Sequence, residues 1–244
     1  MIAFEGISKT YAKSAKKAVD SIRLCVPDGK VFGFLGPNGA GKTTTLRLAC
    51  GSLSPDSGAV FVDGIPMETR PLEAKSRIGL VQDNPELFNK LKAHEYLDFV
   101  ADVFRVSPAD RRARIAEFSE RFSISDVLGS SIGSMSRGMK QKLCIVASLL
   151  HDPWNWILDE PMVGLDPEAA FQLKAIMRER ASAGKCVFFS THVMEVAEKV
   201  CDELAIIVAG RIAFMGDLAG LKALRGEDAS LESLFLDLVE GEEG

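Results

Sequence analysis

Three stretches of this chain carry residue types and spacings that could do chemistry. The first is FGFLGPNGAGKTTTLRL, residues 32–48, where an apolar run breaks into glycines and closes on a lysine and three threonines. Residues 31–35 are short, apolar and aromatic, which suits a buried strand, and residues 42–49 have the spacing and propensities of a helix start. Between them Gly36, Gly39 and Gly41 allow positive φ and let successive backbone N–H groups point inward, an arrangement that cradles an anion. The helix that begins near Lys42 adds the positive end of its dipole, Lys42 adds a formal charge, and the Thr43 hydroxyl can sit on a magnesium ion. Polyphosphate fits all three. The run matches GxxxxGK(S/T), a pattern that is specific when it lies between a strand and a helix.

The second stretch is NWILDE, residues 155–160, which places Asp159 at the end of an apolar strand. There it can meet a magnesium ion held by Thr43, usually through water. Glu160 follows directly, and neighbouring residues at a strand end can point differently, so one carboxylate can serve the metal while the other orients or deprotonates an attacking water. Alone, such a pair reads as two loop carboxylates. Beside a phosphate cradle it reads as hydrolytic machinery. His192 ends the VFFSTH run and Gln82 the IGLVQ run. Ligands gather at strand ends in open parallel sheets, so His192 can donate to a γ-phosphate oxygen and the Gln82 amide oxygen can reach metal or water. His94 and His151 lack such companions and read as structural.

The third stretch is GSMSRGMKQKL, residues 133–143. Ser136 precedes an amphipathic segment and is the expected N-cap of its helix. Gly138 costs stability in a first helical turn and spares a side chain where backbone would approach a ligand. Ser136, Gly138 and the helix dipole therefore form a second anion-binding site, far in sequence from the first.

These groups need elements to position them. IAFEGISKTY and SIRLCVP alternate apolar and polar around the turn signal PDGK, so the chain is expected to begin with antiparallel strands. GAVFVDG (58–64) and IGLVQ (78–82) read as further strands. From residue 92 to about 150 apolar residues recur at helical spacing (Tyr96, Leu97, Val100, Val103 and Phe104, then Ile115, Phe118 and Phe122), which predicts a helical insert. WILDE and CVFFSTH, separated by a helical stretch, predict a parallel sheet with crossover helices. A last hairpin turns at 209–211, and the tail from 218 reads as an amphipathic helix with a frayed acidic end.

Composition bounds the function classes. At 244 residues, 47% hydrophobic and 26% charged, the chain can build one large domain or two intimately packed ones. A net charge of −5 and a pI near 5.4 argue against nucleic acid as the main partner, since phosphate contacts need clustered Lys and Arg. Five scattered cysteines without CxxC spacing read as small core residues of a reducing compartment. No run has the length to span a bilayer and nothing marks secretion, so any link to a membrane is expected to pass through another chain.

At this point the chain resembles the nucleotide-binding subunit of ABC transporters, over residues 2 to about 216. In that family the first stretch is the Walker A loop, so the resemblance implies that Gly36, Pro37, Asn38, Gly39, Ala40, Gly41, Lys42, Thr43 and Thr44 hold ATP. Asp159 ends Walker B, Glu160 is the catalytic glutamate, Gln82 the Q-loop glutamine and His192 the switch histidine. Mg2+ is then expected among Thr43, Gln82 and Asp159. MSRGM (135–139) stands for the LSGGQ signature, keeping Ser136 and Gly138 as phosphate contacts, and GLD (164–166) is the D-loop, with Asp166 beside the nucleotide. Tyr11 takes the place of the aromatic that stacks on adenine, ordinary packing at a strand edge being the alternative. Met135, Arg137 and Met139 depart from the signature, and SxGMxQ(K/R) looks like the form in ATPases that serve ABC-2-type exporters. Met162, Asn155 and Trp156 depart too, which puts rate and local packing in question.

The resemblance implies an α/β P-loop NTPase core of mostly parallel sheet with flanking helices, an antiparallel β subdomain and an inserted α-helical subdomain. The ATPase domain would be residues 1–216, the insert about 88–152, and 217–244 a short helical tail. Two subunits would meet head to tail, each ATP lying between the Walker A loop of one and the signature helix of the other. The partners implied are a second copy or a homologous ATPase subunit and an integral membrane permease, with no nucleic acid, and the location is cytoplasmic, on the inner face of the membrane. The rival readings are an ABC ATPase acting on ribosomes, DNA or a division apparatus, and a P-loop kinase for a small metabolite. A single Walker A and the lack of sustained heptads weigh against the first, while MSRGM and GLD weigh against the second.

Overall fold

The structure is a computed structural model and describes residues 1–12, 16–83, 88–220 and Phe235. β1 (Ile2–Thr10) and β2 (Lys17–Val26) pair antiparallel, with Ile2 opposite Val26 and Thr10 opposite Lys17. β3 (Val31–Leu35) is buried throughout and runs through the glycine-rich loop into α1 (Lys42–Ala49). β4 (Ser57–Val62) then returns to β1, and β5 (Ile65–Pro66) closes a four-stranded sheet of order β2-β1-β4-β5. The strand expected at 58–64 thus belongs to the small antiparallel sheet.

After α2 (Pro71–Ser76) and β6 (Ile78–Val81) the chain turns helical. α3 (Ala93–Val103), α4 (Pro108–Arg121), two 3-10 turns and α5 (Arg137–Leu149) lie between β6 and β7 (Asn155–Asp159). The boundaries follow capping chemistry. Ser107 accepts from the Asp110 N–H ahead of Pro108, and Asp166 accepts from the Ala169 N–H ahead of Pro167. α6 (Pro167–Ser182), β8 (Cys186–Thr191), α7 (Met194–Val200), β9 (Glu203–Val208) and β10 (Arg211–Gly216) complete the fold. The six-stranded sheet has the order β10-β9-β3-β8-β7-β6, with every pair parallel except β9 with β10.

The central strands are buried on both faces, and their period of two sorts side chains between two cores. Phe32, Phe34, Ile157, Phe188 and Ile207 face α1 and the small sheet. Val31, Leu35, Leu158, Phe189 and Ile206 face the α3–α6 side. Phe188 anchors the first core, its ring 5.7 Å from Phe34 and 6.0 Å from Phe32.

The two polar interruptions of β7 are satisfied. Asn155 is fully buried, donates from Nδ2 to Asp63 at 3.1 Å and accepts from the Met1 nitrogen at 2.9 Å. Trp156 donates its indole N–H to Ser148 Oγ at 2.9 Å, and Arg180 lies over its ring. Of the expected helical tail, only 217–220 and Phe235 fall within the described residues. Leu218 and Phe235 pack against the helical-side core.

Candidate functional site

Parallel pairing brings the ends of β3, β7 and β8 to one edge, with Leu35 opposite Thr191 and Asp159 opposite Ser190. The loop after β3 is shaped by its glycines in two ways. Gly41, at φ +112°, caps α1 in a conformation that L side chains rarely adopt, and a Cβ there would also run into the Ala18 carbonyl. Gly36 does not take the positive φ that the sequence suggested. It is small because a Cβ would lie 2.5 Å from the Ile207 carbonyl oxygen.

Lys42 is 6% exposed and donates to the Gly36 carbonyl at 2.7 Å and the Pro37 carbonyl at 3.3 Å. Its ammonium also lies 3.4 Å from Glu160 Oε1, and that oxygen is 3.0 Å from His192 Nδ1. Three residues from three separated stretches thus share one cluster. Tyr11 Oη lies 3.2 Å from Thr44 Oγ1, which sets the tyrosine beside the start of α1.

A cavity of about 140 Å³ is lined by Thr43, Gln82 and Asp159, the three residues expected around a metal ion, and also by Asp83, Arg47 and Ser52. Burial raises the pKa of Asp159, the Glu160 and Asp83 carboxylates add to this, and hydrogen bonds from Ser190 and Thr43 oppose it. A buried carboxylate with carboxylate neighbours and a hydroxyl beside it is a hard-oxygen donor set, and a divalent cation there would compensate the crowding of negative charge. The residues fit Mg2+.

Sequence reasoning missed Ser190, although a fully buried serine in the apolar run VFFST was the available signal. Its Oγ donates to Asp159 at 2.6 Å and accepts from the Glu160 N–H at 3.0 Å, tying the two carboxylate residues to β8. Asp83 was also missed. It lies 3.6 Å from Arg137, one of the three residues that depart from the signature pattern.

Ser136 caps α5, accepting from the Met139 N–H at 3.2 Å, and is exposed. Neither it nor Gly138 lines the cavity of Thr43 and Asp159. For Gly138 the structure supplies a reason within the chain: a Cβ would come 2.6 Å from the Gly164 carbonyl. Asp166 joins that loop to α5 through Lys142 at 2.6 Å.

The two other histidines engage backbone. His94 Nδ1 lies 3.0 Å from Leu128 O. His151 Nε2 lies 3.0 Å from Ile78 O, its ring is stacked on Phe104, and its buried Nδ1 has no partner. Burial depresses its pKa from 6.5 to about 4, with Arg180 and Arg114 lowering it and the Ile78 carbonyl and Asp152 opposing. The folded state therefore holds the neutral ring, and its contribution is complete above the unfolded pKa and lost as pH falls from 6.5 through 4. The stability gap between wild type and His151→Gln should narrow by up to about 3 kcal/mol between pH 7.5 and 4. Urea unfolding at each pH measures it, and a constant gap would contradict the assignment.

A glycine-rich loop at a strand end, a carboxylate pair of which Asp159 is buried, and a parallel sheet place the chain in the class of P-loop nucleotide hydrolases. Residues 19–163 match the family described as ABC transporter. The chain is 34% identical to the ABC transporter ATP-binding protein NatA of Bacillus subtilis over 246 residues, 99% of each chain. It is 35% identical over 210 residues to the Nod factor export ATP-binding protein I of Burkholderia orbicola, covering 86% of this chain and 68% of that one. Among solved structures, one described as the ATP binding subunit of an ABC transporter superposes with a TM-score of 0.92 at 30% identity, covering 98% of this chain and 99% of that one. The chain belongs to the ABC transporter family. It is an ATP-binding, ATP-hydrolysing subunit, and among the described residues no helix is long and apolar enough to cross a membrane.

Proposed function

We propose that this chain is the ATPase of an ABC-2-type exporter, working as a head-to-tail pair beneath a separate membrane permease. Residues 1–216 would form the ATPase domain, with 88–152 as its helical insert. The observation that carries the reading is the double position of Gln82. It lines the cavity of Thr43 and Asp159, and it also lines a groove of about 260 Å³ whose walls include Tyr96, Val100 and Phe104. A partner segment seated in that groove would touch the residue that reaches the metal cavity. Export is supported by the SRGMKQK form of the signature and by the relative named for Nod factor export.

In this reading the 36–44 loop and Lys42 hold the phosphates, and Thr43, Asp159 and Gln82 hold Mg2+, which would neutralise charge on the phosphate oxygens when bound. Glu160 orients and deprotonates the attacking water, and His192, hydrogen-bonded to Glu160, senses the γ-phosphate. Tyr11 would face the adenine. Ser136, Gly138 and Asp166 would meet the nucleotide of the partner subunit, which would account for the second anion site expected from the sequence. Catalysis is then mainly positioning and charge stabilisation.

The membrane contact is tested on α3. Phe99 and Val103 are 49% and 60% exposed there, one turn apart, and Phe88 packs edge-on against Phe99 at 5.9 Å. Apolar side chains exposed beside a groove add about 1.5–3 kcal/mol each when a partner buries them. Phe99→Asp with Val103→Glu should therefore weaken co-purification with the co-expressed permease at least about tenfold while leaving ATP binding intact. Undiminished co-purification would overturn this placement of the permease.

A further inference from the structure

Between the first turns of α5 and the loop 160–166 lies a close-packed seam inside one chain. Gly138 presses against the Gly164 carbonyl, and the Arg137 side chain lies about 3.9 Å from where a Cβ of Gly164 would sit. One turn further along α5, Lys142 Nζ lies 2.6 Å from Asp166 Oδ2, its side chain only 12% exposed. Asp166 Oδ1 meanwhile caps α6 through the Ala169 N–H at 2.9 Å. The loop between these anchors is short and folded on itself, with the Val163 N–H bonded to the Glu160 carbonyl and the Leu165 N–H to that of Met162. At its start Glu160 has φ +46°, a left-handed conformation for a residue that carries a side chain. Such backbone persists only where the surroundings over-determine it.

We propose that Lys142 is a positioning residue: its ion pair with Asp166 locks α5 to the loop 160–166 and so holds Glu160 at its working position. The inference rests on the reading of Glu160 as the hydrolytic base. The pair is half-exposed on the Asp166 side, and it is suited to the task because Lys142 is largely covered and spans two elements that no other ion pair among the described residues joins. The Lys142 hydrogen bond is also the main reason the Asp166 carboxyl titrates below the ordinary carboxylate range. A consequence follows for the signature. Ser136 and Gly138 sit on the same helix end as the seam, so a ligand pressing on them loads the loop that carries the chain's own Glu160. Displacement of a reacting group by about 1 Å can cost up to about a hundredfold in rate.

The experiment measures ATP hydrolysis and Tm for the purified full chain carrying Lys142→Met, Lys142→Arg, Asp166→Asn and the Met/Asn double change, beside Glu160→Gln. Methionine keeps the helical stem without the charge, and asparagine keeps the α6 cap. The expected result is a fall of about tenfold in kcat for Lys142→Met with KM for ATP within twofold, recovery in Lys142→Arg, a loss at least as large for Asp166→Asn, whose carboxyl is also placed beside the partner's nucleotide, and a double variant no worse than Asp166→Asn alone. Wild-type kcat in Lys142→Met, losses that multiply in the double variant, or a KM rise that arginine does not restore would each overturn the inference and leave the Glu160 reading standing if Glu160→Gln is inactive. If Glu160→Gln hydrolyses ATP like wild type, that reading falls, and this inference with it.

Discussion

Glu160→Gln should bind ATP, lose hydrolysis by about a hundredfold to ten-thousandfold, the range for removing a general base, and accumulate as a nucleotide-bound dimer. The change is nearly isosteric in a side chain that is 12% exposed and engaged on both sides, 3.0 Å from His192 and 3.4 Å from Lys42. It removes one negative charge beside the position where the γ-phosphate would lie, and with it a repulsion that opposes closure of two subunits around ATP. The glutamine amide cannot take a proton from water. Gel filtration with ATP and Mg2+ would show the dimer, and phosphate release would show the lost turnover. Wild-type turnover in this variant would remove Glu160 from the chemistry.

The sequence made the large sheet legible because its strands are short apolar runs that end in chemistry. Residues 31–35, 156–160 and 186–192 were each read within a residue or so of the observed strands, and their burial on both faces is why the runs are continuous. The helical insert was legible from its 3.6 periodicity. The membership of β4 in the small sheet was not, because strand partners are set by the register Ile2 to Val62, a long-range pairing that leaves no local mark. β5, two residues long, left no pattern at all.

The candidate site divides along the same line. Residue types with a chemical reason at a fixed spacing, from Gly36 to Thr43 and at Asp159 and Glu160, were legible and do converge. Ser190 was hidden because a buried serine in a strand declares a hydrogen bond without saying to what. Gly138 reads in the sequence as a place where backbone approaches a ligand, whereas the neighbour the structure gives it is Gly164, a contact inside the chain that sequence spacing could not reveal. Asn155 and Trp156 read as defects in an aliphatic strand because their partners, Asp63 and Ser148, are far away along the chain.

The head-to-tail arrangement makes a prediction that a self-contained site does not. Lys42→Ala removes the charged contact from the loop, a loss of about 1.5–3 kcal/mol, which weakens ATP binding by about tenfold to a hundredfold or more. Ser136→Arg places a bulky cation on the exposed end of α5 and should stop hydrolysis while the variant's own loop still binds ATP. In a forced heterodimer with both changes on one subunit, the damaged loop faces an intact signature and the intact loop faces a damaged signature, so both sites are spoiled. With Lys42→Ala on one subunit and Ser136→Arg on the other, both defects fall in a single site and the second site is whole. Turnover in the two heterodimers should therefore differ, the split design keeping whatever one site sustains. Should hydrolysis require both sites together, neither design turns over, and since each carries one loop able to bind ATP, the difference moves to slowly exchanging ATP trapped between loop and signature, which only the split design's whole site can hold. The opposite order, with the one-subunit design keeping the turnover or the trapped ATP, would mean that the Ser136 end of α5 acts within its own chain, and the head-to-tail reading would fall.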